Sequence, residues 1–131
     1  MLKFLGQAGF MYETDNEILL MDPWMSKDGA FDSSWYQFPS NHDLGDQIRK
    51  EIKLTNKEIY IYISHEHKDH FDVPYLKTLD LSKINFITPK FRRDHVASVL
   101  NKLNPKSVTT PIDSEVLNIG EMEIRLFLDD Q

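Results

Sequence analysis

At 131 residues, with 40% apolar and 27% charged residues, the chain has the length and balance of one compact domain with a buried core. A net charge of −6 and a pI of about 5.3 argue against broad electrostatic binding to nucleic acid or an anionic membrane, although a metal could still supply local positive charge. Cysteine is absent, which excludes disulfides and thiolate zinc sites, so any metal must be held by His, Asp, Glu or water.

The lack of cysteine fits a reducing cytoplasm, and a cytoplasmic location is expected. The opening Met1-Leu2-Lys3-Phe4-Leu5-Gly6-Gln7 soon reaches Glu13 and Asp15, and is too short and broken for a signal peptide. No window approaches the roughly 20 apolar residues of a membrane span.

In chain order, Leu2 to Glu13 reads as a strand with a bulge or turn around Gly6 and Gly9. Asp15-Asn16 signals a turn, and Glu17 to Asp22 a second, mostly buried strand that pairs with the first as a hairpin. Pro23 to Asn41 has no period but carries Trp24, Phe31, Trp35, Tyr36 and Phe38. It is either a loop packed on its own aromatics or a wall of a substrate pocket. Leu44 to Leu54 has helical spacing, with Asp43 as a candidate cap and His42 in the loop before it. Glu58 to Ser64 is β-branched and aromatic throughout, the pattern of a strand covered on both faces.

Asp72 and Pro74 mark a helix start, with Leu76, Leu79 and Leu81 toward the core. Ile84 to Thr88 is a short apolar strand. Arg93 to Leu103 is a helix with one apolar stripe of Val96, Val99, Leu100 and Leu103, ended by Asn104-Pro105. Ser107 to Thr110 is a further strand, and Glu115 to Asp129 holds two β runs around Asn118-Ile119-Gly120-Glu121. Alternating strands and helices predict α/β layers. The basic run Lys90-Phe91-Arg92-Arg93 reads as a solvated helix entrance, able to touch an anionic substrate only if it faces the site.

The chemistry concentrates in His65-Glu66-His67-Lys68-Asp69-His70, directly after the buried strand. Neutral imidazole and carboxylate are ligands for zinc and similar divalent ions. In extended backbone the side chains of His65 and His67 point the same way, so both can approach one ion. Asp69 and His70 follow the turn and can reach a second point, which allows two ions roughly 3.5–4 Å apart. An inert polar loop does not account for this density of ligands. Ligands also cluster beyond the carboxyl ends of strands in open α/β sheets.

Ser64 to His70 resembles the His-x-His-x-Asp-His signature of the metallo-β-lactamase fold superfamily. The resemblance extends upstream through Gly6-Gln7-Ala8-Gly9-Phe10 and Ile18-Leu19-Leu20-Met21-Asp22-Pro23-Trp24, similar to that superfamily's opening hairpin. Asp22-Pro23-Trp24 with Ala30-Phe31 and Ser34-Trp35 is more similar to the branch of lactonase-like proteins and CMP-N-acetylneuraminate hydroxylases. The resemblance implies the N-terminal half of an αββα sandwich: a mixed β-sheet with helices packed on one face. It implies that His65 and His67 bind a first metal and Asp69 and His70 a second. Asp69 would also be catalytic, orienting or deprotonating the attacking water. Asp22 would hydrogen-bond near the metal loop and fix its geometry. Glu66 stands between the histidines rather than replacing one, unlike the iron-binding flavoprotein branch, so zinc is expected, with manganese or iron as alternatives.

The family completes its site with a third histidine, a bridging Asp and a final histidine in later segments. After His70 this chain has only His95, which reads as a surface or half-buried helix residue, and Asp129 and Asp130 at its end. The expectation is therefore a single domain over residues 1–131, cut before its second half. Two functions follow. One is a metal-dependent hydrolase of a small, anionic ester, lactone, amide or phosphodiester. The other is a non-catalytic half-domain that associates with itself or with a second-half polypeptide through the uncovered face of its sheet.

Overall fold

The computed structural model describes residues 1–27 and 29–128. Its strands are β1 (Leu2–Gly6), β2 (Gly9–Glu13), β3 (Glu17–Met21), β4 (Glu58–Tyr62), β5 (Ile84–Ile87), β6 (Ser107–Thr109), β7 (Val116–Ile119) and β8 (Met122–Arg125). Its α-helices are α1 (His42–Leu54), between β3 and β4, α2 (Val73–Leu76), between β4 and β5, and α3 (His95–Lys102), between β5 and β6. Strands β1 to β6 lie side by side in sequence order. The first three are antiparallel, and β3 to β6 are parallel. This is the expected mixed sheet.

The two-residue strand period divides the sheet into two apolar faces. Ile18 and Leu20, Ile59, Ile61 and Ile63, and Ile84 and Phe86 meet α1 through Ile48 and Ile52, α2 through Tyr75 and Leu76, and α3 through Val96 and Leu100. All three helices thus pack on one face, as predicted. On the opposite face, Leu19, Met21, Tyr60, Tyr62 and Ile87 are covered by the β7–β8 hairpin through Leu117, Ile119, Met122 and Ile124. The sequence reading left this face uncovered, but part of it is buried by the chain's own second sheet.

Glu17, 4% exposed, pins that hairpin: its Oε1 accepts the Glu121 N–H at 3.2 Å, and its other oxygen bonds the Thr14 hydroxyl. Gly120 turns at φ +56 directly against the Glu17 carboxylate, where a β-carbon would collide. The face remains open beyond the hairpin. Leu2 and Phe4 of β1 lie opposite Tyr12 and Phe10 of β2, and the first two are 62% and 61% exposed.

Three boundaries depart from expectation. Leu2 to Glu13 is two strands, because Gly6 at φ +116 and Gln7 at φ +52 reverse the chain completely. Helix α1 begins at His42, which is helical rather than loop, and its cap position is Asn41 rather than Asp43. The Asn41 side chain is spent elsewhere, donating to the carbonyls of Leu5 and Trp24 at 2.9 Å each. Helix α3 starts two residues after Arg93. The Asp72 cap is as predicted: its Oδ1 accepts the Tyr75 N–H at 3.2 Å. Its Oδ2 also accepts the N–H groups of Met25 and Ser26, tying the loop after β3 to α2. In that loop Trp24 is buried, and Phe31 stacks edge-on against Trp35 with ring centroids 5.0 Å apart. Trp35, Tyr36 and Phe38 stay exposed.

Candidate metal centre

The histidine loop, residues 65–70, leaves the C-terminal end of β4 in the middle of the parallel part of the sheet. The His67 carbonyl closes the turn, accepting the N–H groups of His70 at 2.9 Å and Phe71 at 2.7 Å. Phe71 is buried and anchors the loop in the helix-side core. This turn brings the three imidazoles together. The His65 and His70 ring centroids are 4.1 Å apart, and those of His65 and His67 are 4.6 Å apart. Asp69 is 6% exposed, and its Oδ2 lies 3.6 Å from His70 Nε2 and 3.5 Å from Gln7 Nε2. His67 faces solvent.

Asp22 organises the loop. It follows β3, and the parallel register that sets Met21 beside Tyr62 carries it up to Ser64. It sits at φ +44, a left-handed conformation that aspartate tolerates. Its Oδ1 accepts the Ser64 N–H at 2.7 Å, and its Oδ2 accepts the Ser64 hydroxyl at 2.6 Å. The same Oδ2 lies 3.0 Å from His70 Nδ1. Ser64 Oγ, having donated its proton to Asp22, accepts from His65 Nδ1 at 2.8 Å. One carboxylate thereby sets both His65 and His70 with the proton on Nδ1 and the lone pair on Nε2, the form in which imidazole binds a metal.

The surrounding electrostatics agree with a neutral His65 ring. Burial, then the neighbouring His70 and His67, hold His65 below its ordinary value of 6.5. Burial, with the Asp22 carboxylate adding to it, pushes the Tyr62 hydroxyl up to about 12, so it stays protonated.

The five predicted residues, His65, His67, Asp69, His70 and Asp22, therefore occupy one small region. By ring centroid His65 lies nearer His70 than His67. Among the described residues no three His, Asp or Glu side chains converge on a single point in ion-holding geometry. The donor chemistry nevertheless fits a divalent ion: imidazoles of fixed tautomer, His65 and His70, stand beside a buried carboxylate whose one protein donor among the described residues, Gln7 Nε2, is at 3.5 Å. Asp129 and Asp130 lie outside the described residues.

Two participants escaped the sequence reading. Ser64 relays Asp22 to His65, and its signal is a hydroxyl immediately before the first histidine, one strand away from a terminal aspartate. Gln7, at the β1–β2 turn, reaches Asp69 across the sheet and has no local signal. A cavity of about 470 Å3 borders Glu66, Lys68 and Phe31 but none of the three loop imidazoles. A second cleft, of about 410 Å3, includes His65.

A family model described as a beta-lactamase superfamily domain matches residues 1–130. A Mycobacterium tuberculosis protein provisionally named as a Rieske 2Fe-2S iron-sulfur protein is 33% identical over 99 residues, which is 76% of this chain and 18% of that one. A similarly named protein of Mycolicibacterium smegmatis is 37% identical over 73 residues, 56% of this chain and 12% of the relative. This chain thus spans under a fifth of the length of the curated relatives it matches. Among solved structures, CmlA, a diiron β-hydroxylase from Streptomyces venezuelae, superposes with a TM-score of 0.60 at 18% identity, covering 93% of this chain and 22% of that one. No helix among the described residues is long and apolar enough to cross a membrane. With the family model matching all but the last residue, the chain belongs to the beta-lactamase superfamily, and its fold is of the metallo-β-lactamase kind.

Proposed function

We propose that the histidine loop is half of a metal centre for hydrolysis, with His65, His67, Asp69 and His70 as ligands and Asp22 holding their geometry. The observation that carries this reading is the Asp22 network, which aims Nε2 of both His65 and His70 outward. A bound divalent metal would supply an activated water and positive charge for the developing oxyanion.

The chain's own residues do the positioning. Asp22 and Ser64 keep the His65 and His70 imidazoles oriented. Asp69, buried beside His70, would orient the attacking water and accept its proton. Gln7 steadies Asp69 from the neighbouring turn. The remaining ligands come from outside residues 1–128, either from other parts of a longer protein or from a partner chain. Zinc is the first expectation for the metal. Iron suits the same imidazole and carboxylate donors, and the structural neighbour is titled a diiron enzyme. The substrate is a small anionic ester, lactone, amide or phosphodiester. The test is hydrolysis of such model substrates by metal-loaded chain, alone and joined to its complementing half. Activity that appears with metal and vanishes in Asp69→Ala supports the reading; equal activity in the variant overturns it.

A second reading, an assembly module without catalysis, is favoured by the exposed strip of Leu2, Phe4, Phe10 and Tyr12 on the open sheet face. A second-half polypeptide or a second copy would cover it. That reading expects association to be lost in Phe4→Ser with Phe10→Ser and unchanged in His67→Ala with Asp69→Ala, read by sedimentation. Association unaffected by the first pair would overturn it.

A further inference from the structure

Sequence alone does not settle which way the basic run 90–93 faces. The turn between β5 and α3 folds two of its members toward the histidine loop. Phe91 and Arg93, with His95 and Val96 at the start of α3, join His65 and Glu66 around the cleft of about 410 Å3. That volume lies within the ordinary range of small-ligand sites. The cleft shares His65 with the candidate metal centre, so whatever occupies it lies beside the reacting position.

Several cations elsewhere on the surface are already spent on ion pairs. Arg49 pairs with Asp46, Lys57 with Glu13, and Lys106 with Glu58. Arg93 is exposed and has no ion-pair partner among the described residues, so its five N–H donors are available for a planar acid group. Glu66 is the only carboxylate in the lining among the described residues. Glu66 opposes any anion held by Arg93, so a singly charged acid bound to the guanidinium is opposed less than a doubly charged phosphate would be. Phe91 and Val96 supply apolar walls.

We propose that this cleft is the acid-group subsite of the centre. It takes the carboxylate of a small, partly apolar molecule, with Arg93 as its bidentate anchor and the carbon skeleton against Phe91 and Val96, presenting the remainder of the molecule to His65. The cleft's assignment to the centre and the last clause rest on the metallohydrolase reading; the binding of the acid does not.

The test is titration of the metal-free 131-residue chain with benzoate, benzamide and inorganic phosphate, followed by the Arg93 side-chain and His95 ring signals in NMR. Benzoate should shift both saturably. Benzamide and phosphate should bind at least about tenfold more weakly, because neither combines an apolar body with a single negative charge for Arg93. Arg93→Gln should weaken benzoate by about tenfold, Arg93→Lys by less, and Glu66→Gln should tighten it. The spectra report directly that each variant is folded. Equal binding of benzoate and benzamide, tighter binding of phosphate, an unaffected Arg93→Gln, or no saturable shift would each overturn the proposal. Metal content measured on the same preparations separates the two ideas. Benzoate binding without metal uptake keeps the subsite and removes the hydrolase, and the converse keeps the hydrolase and removes the subsite.

Discussion

Asp22→Asn isolates the tautomer argument. Asparagine also tolerates the left-handed backbone at this position, so φ +44 is no obstacle to the exchange. Its carbonyl oxygen can still accept the Ser64 N–H, now at 2.7 Å from Asp22. The other terminal atom changes from acceptor to donor. It then faces the Ser64 hydroxyl, now at 2.6 Å, and His70 Nδ1, now at 3.0 Å. Two N–H groups cannot share that contact, so His70 must move its proton to Nε2, which removes the lone pair proposed to hold metal. Ser64 is likewise forced to accept, which frees its own O–H to donate to His65 Nδ1, so the His65 tautomer is no longer fixed.

Replacing one outer hydrogen-bond partner of a metal ligand typically costs 10–100-fold in affinity, or about 1.4–2.7 kcal/mol. Because Asp22 serves two ligands, the loss should sit near the upper end of that range. Folding stability should fall by about 1–3 kcal/mol, the cost of mismatched buried hydrogen bonds to a formerly charged group. Metal affinity is measured by competition with a chromophoric chelator, stability by urea unfolding, and the tautomers by long-range nitrogen–proton spectra of the histidine rings. An Asp22→Asn chain that binds metal like the wild type, with His70 still protonated at Nδ1, would refute the reasoning.

Two further outcomes follow from the same structure. Gly120→Ala should destabilise the chain by about 1–3 kcal/mol, since it adds a β-carbon at φ +56 and displaces Glu17 from the hairpin; an unchanged urea midpoint would show that Glu17 does not pin the second sheet. His65 is held below 6.5 in the folded state, mainly by burial, so its contribution to stability is fully present above that value and is lost as pH falls through the lowered folded one. His65→Gln should therefore flatten the acid limb of the stability profile, and an equally steep limb would contradict the lowered value.

The sequence showed this architecture where one residue type repeats with a clean period. The isoleucines at 59, 61 and 63 alternate with Tyr60 and Tyr62, and that alternation identifies a strand with two buried faces before any neighbour is known. The Val96–Leu100 stripe likewise places α3. The local rules failed where a side chain is spent on a distant partner. Asn41 takes the cap position but donates to Leu5 and Trp24, which no window around residue 41 reveals. Cover for the Tyr60 and Tyr62 face comes from a hairpin more than fifty residues later, so the face looked open from sequence. The candidate site divides in the same way. The histidine loop is contiguous and legible. Its supports, Ser64 through Asp22 and Gln7 through the sheet, depend on strand register. The direction of Arg93 depends on how a turn packs over the loop.

The central claim is that this loop holds metal, and elemental analysis of the purified chain beside its His67→Ala, Asp69→Ala variant tests it most directly. The account predicts about one equivalent or more of a divalent metal in the wild type and its loss in a variant that remains folded. A folded wild-type chain with no bound metal, or a variant that retains it, would contradict the account.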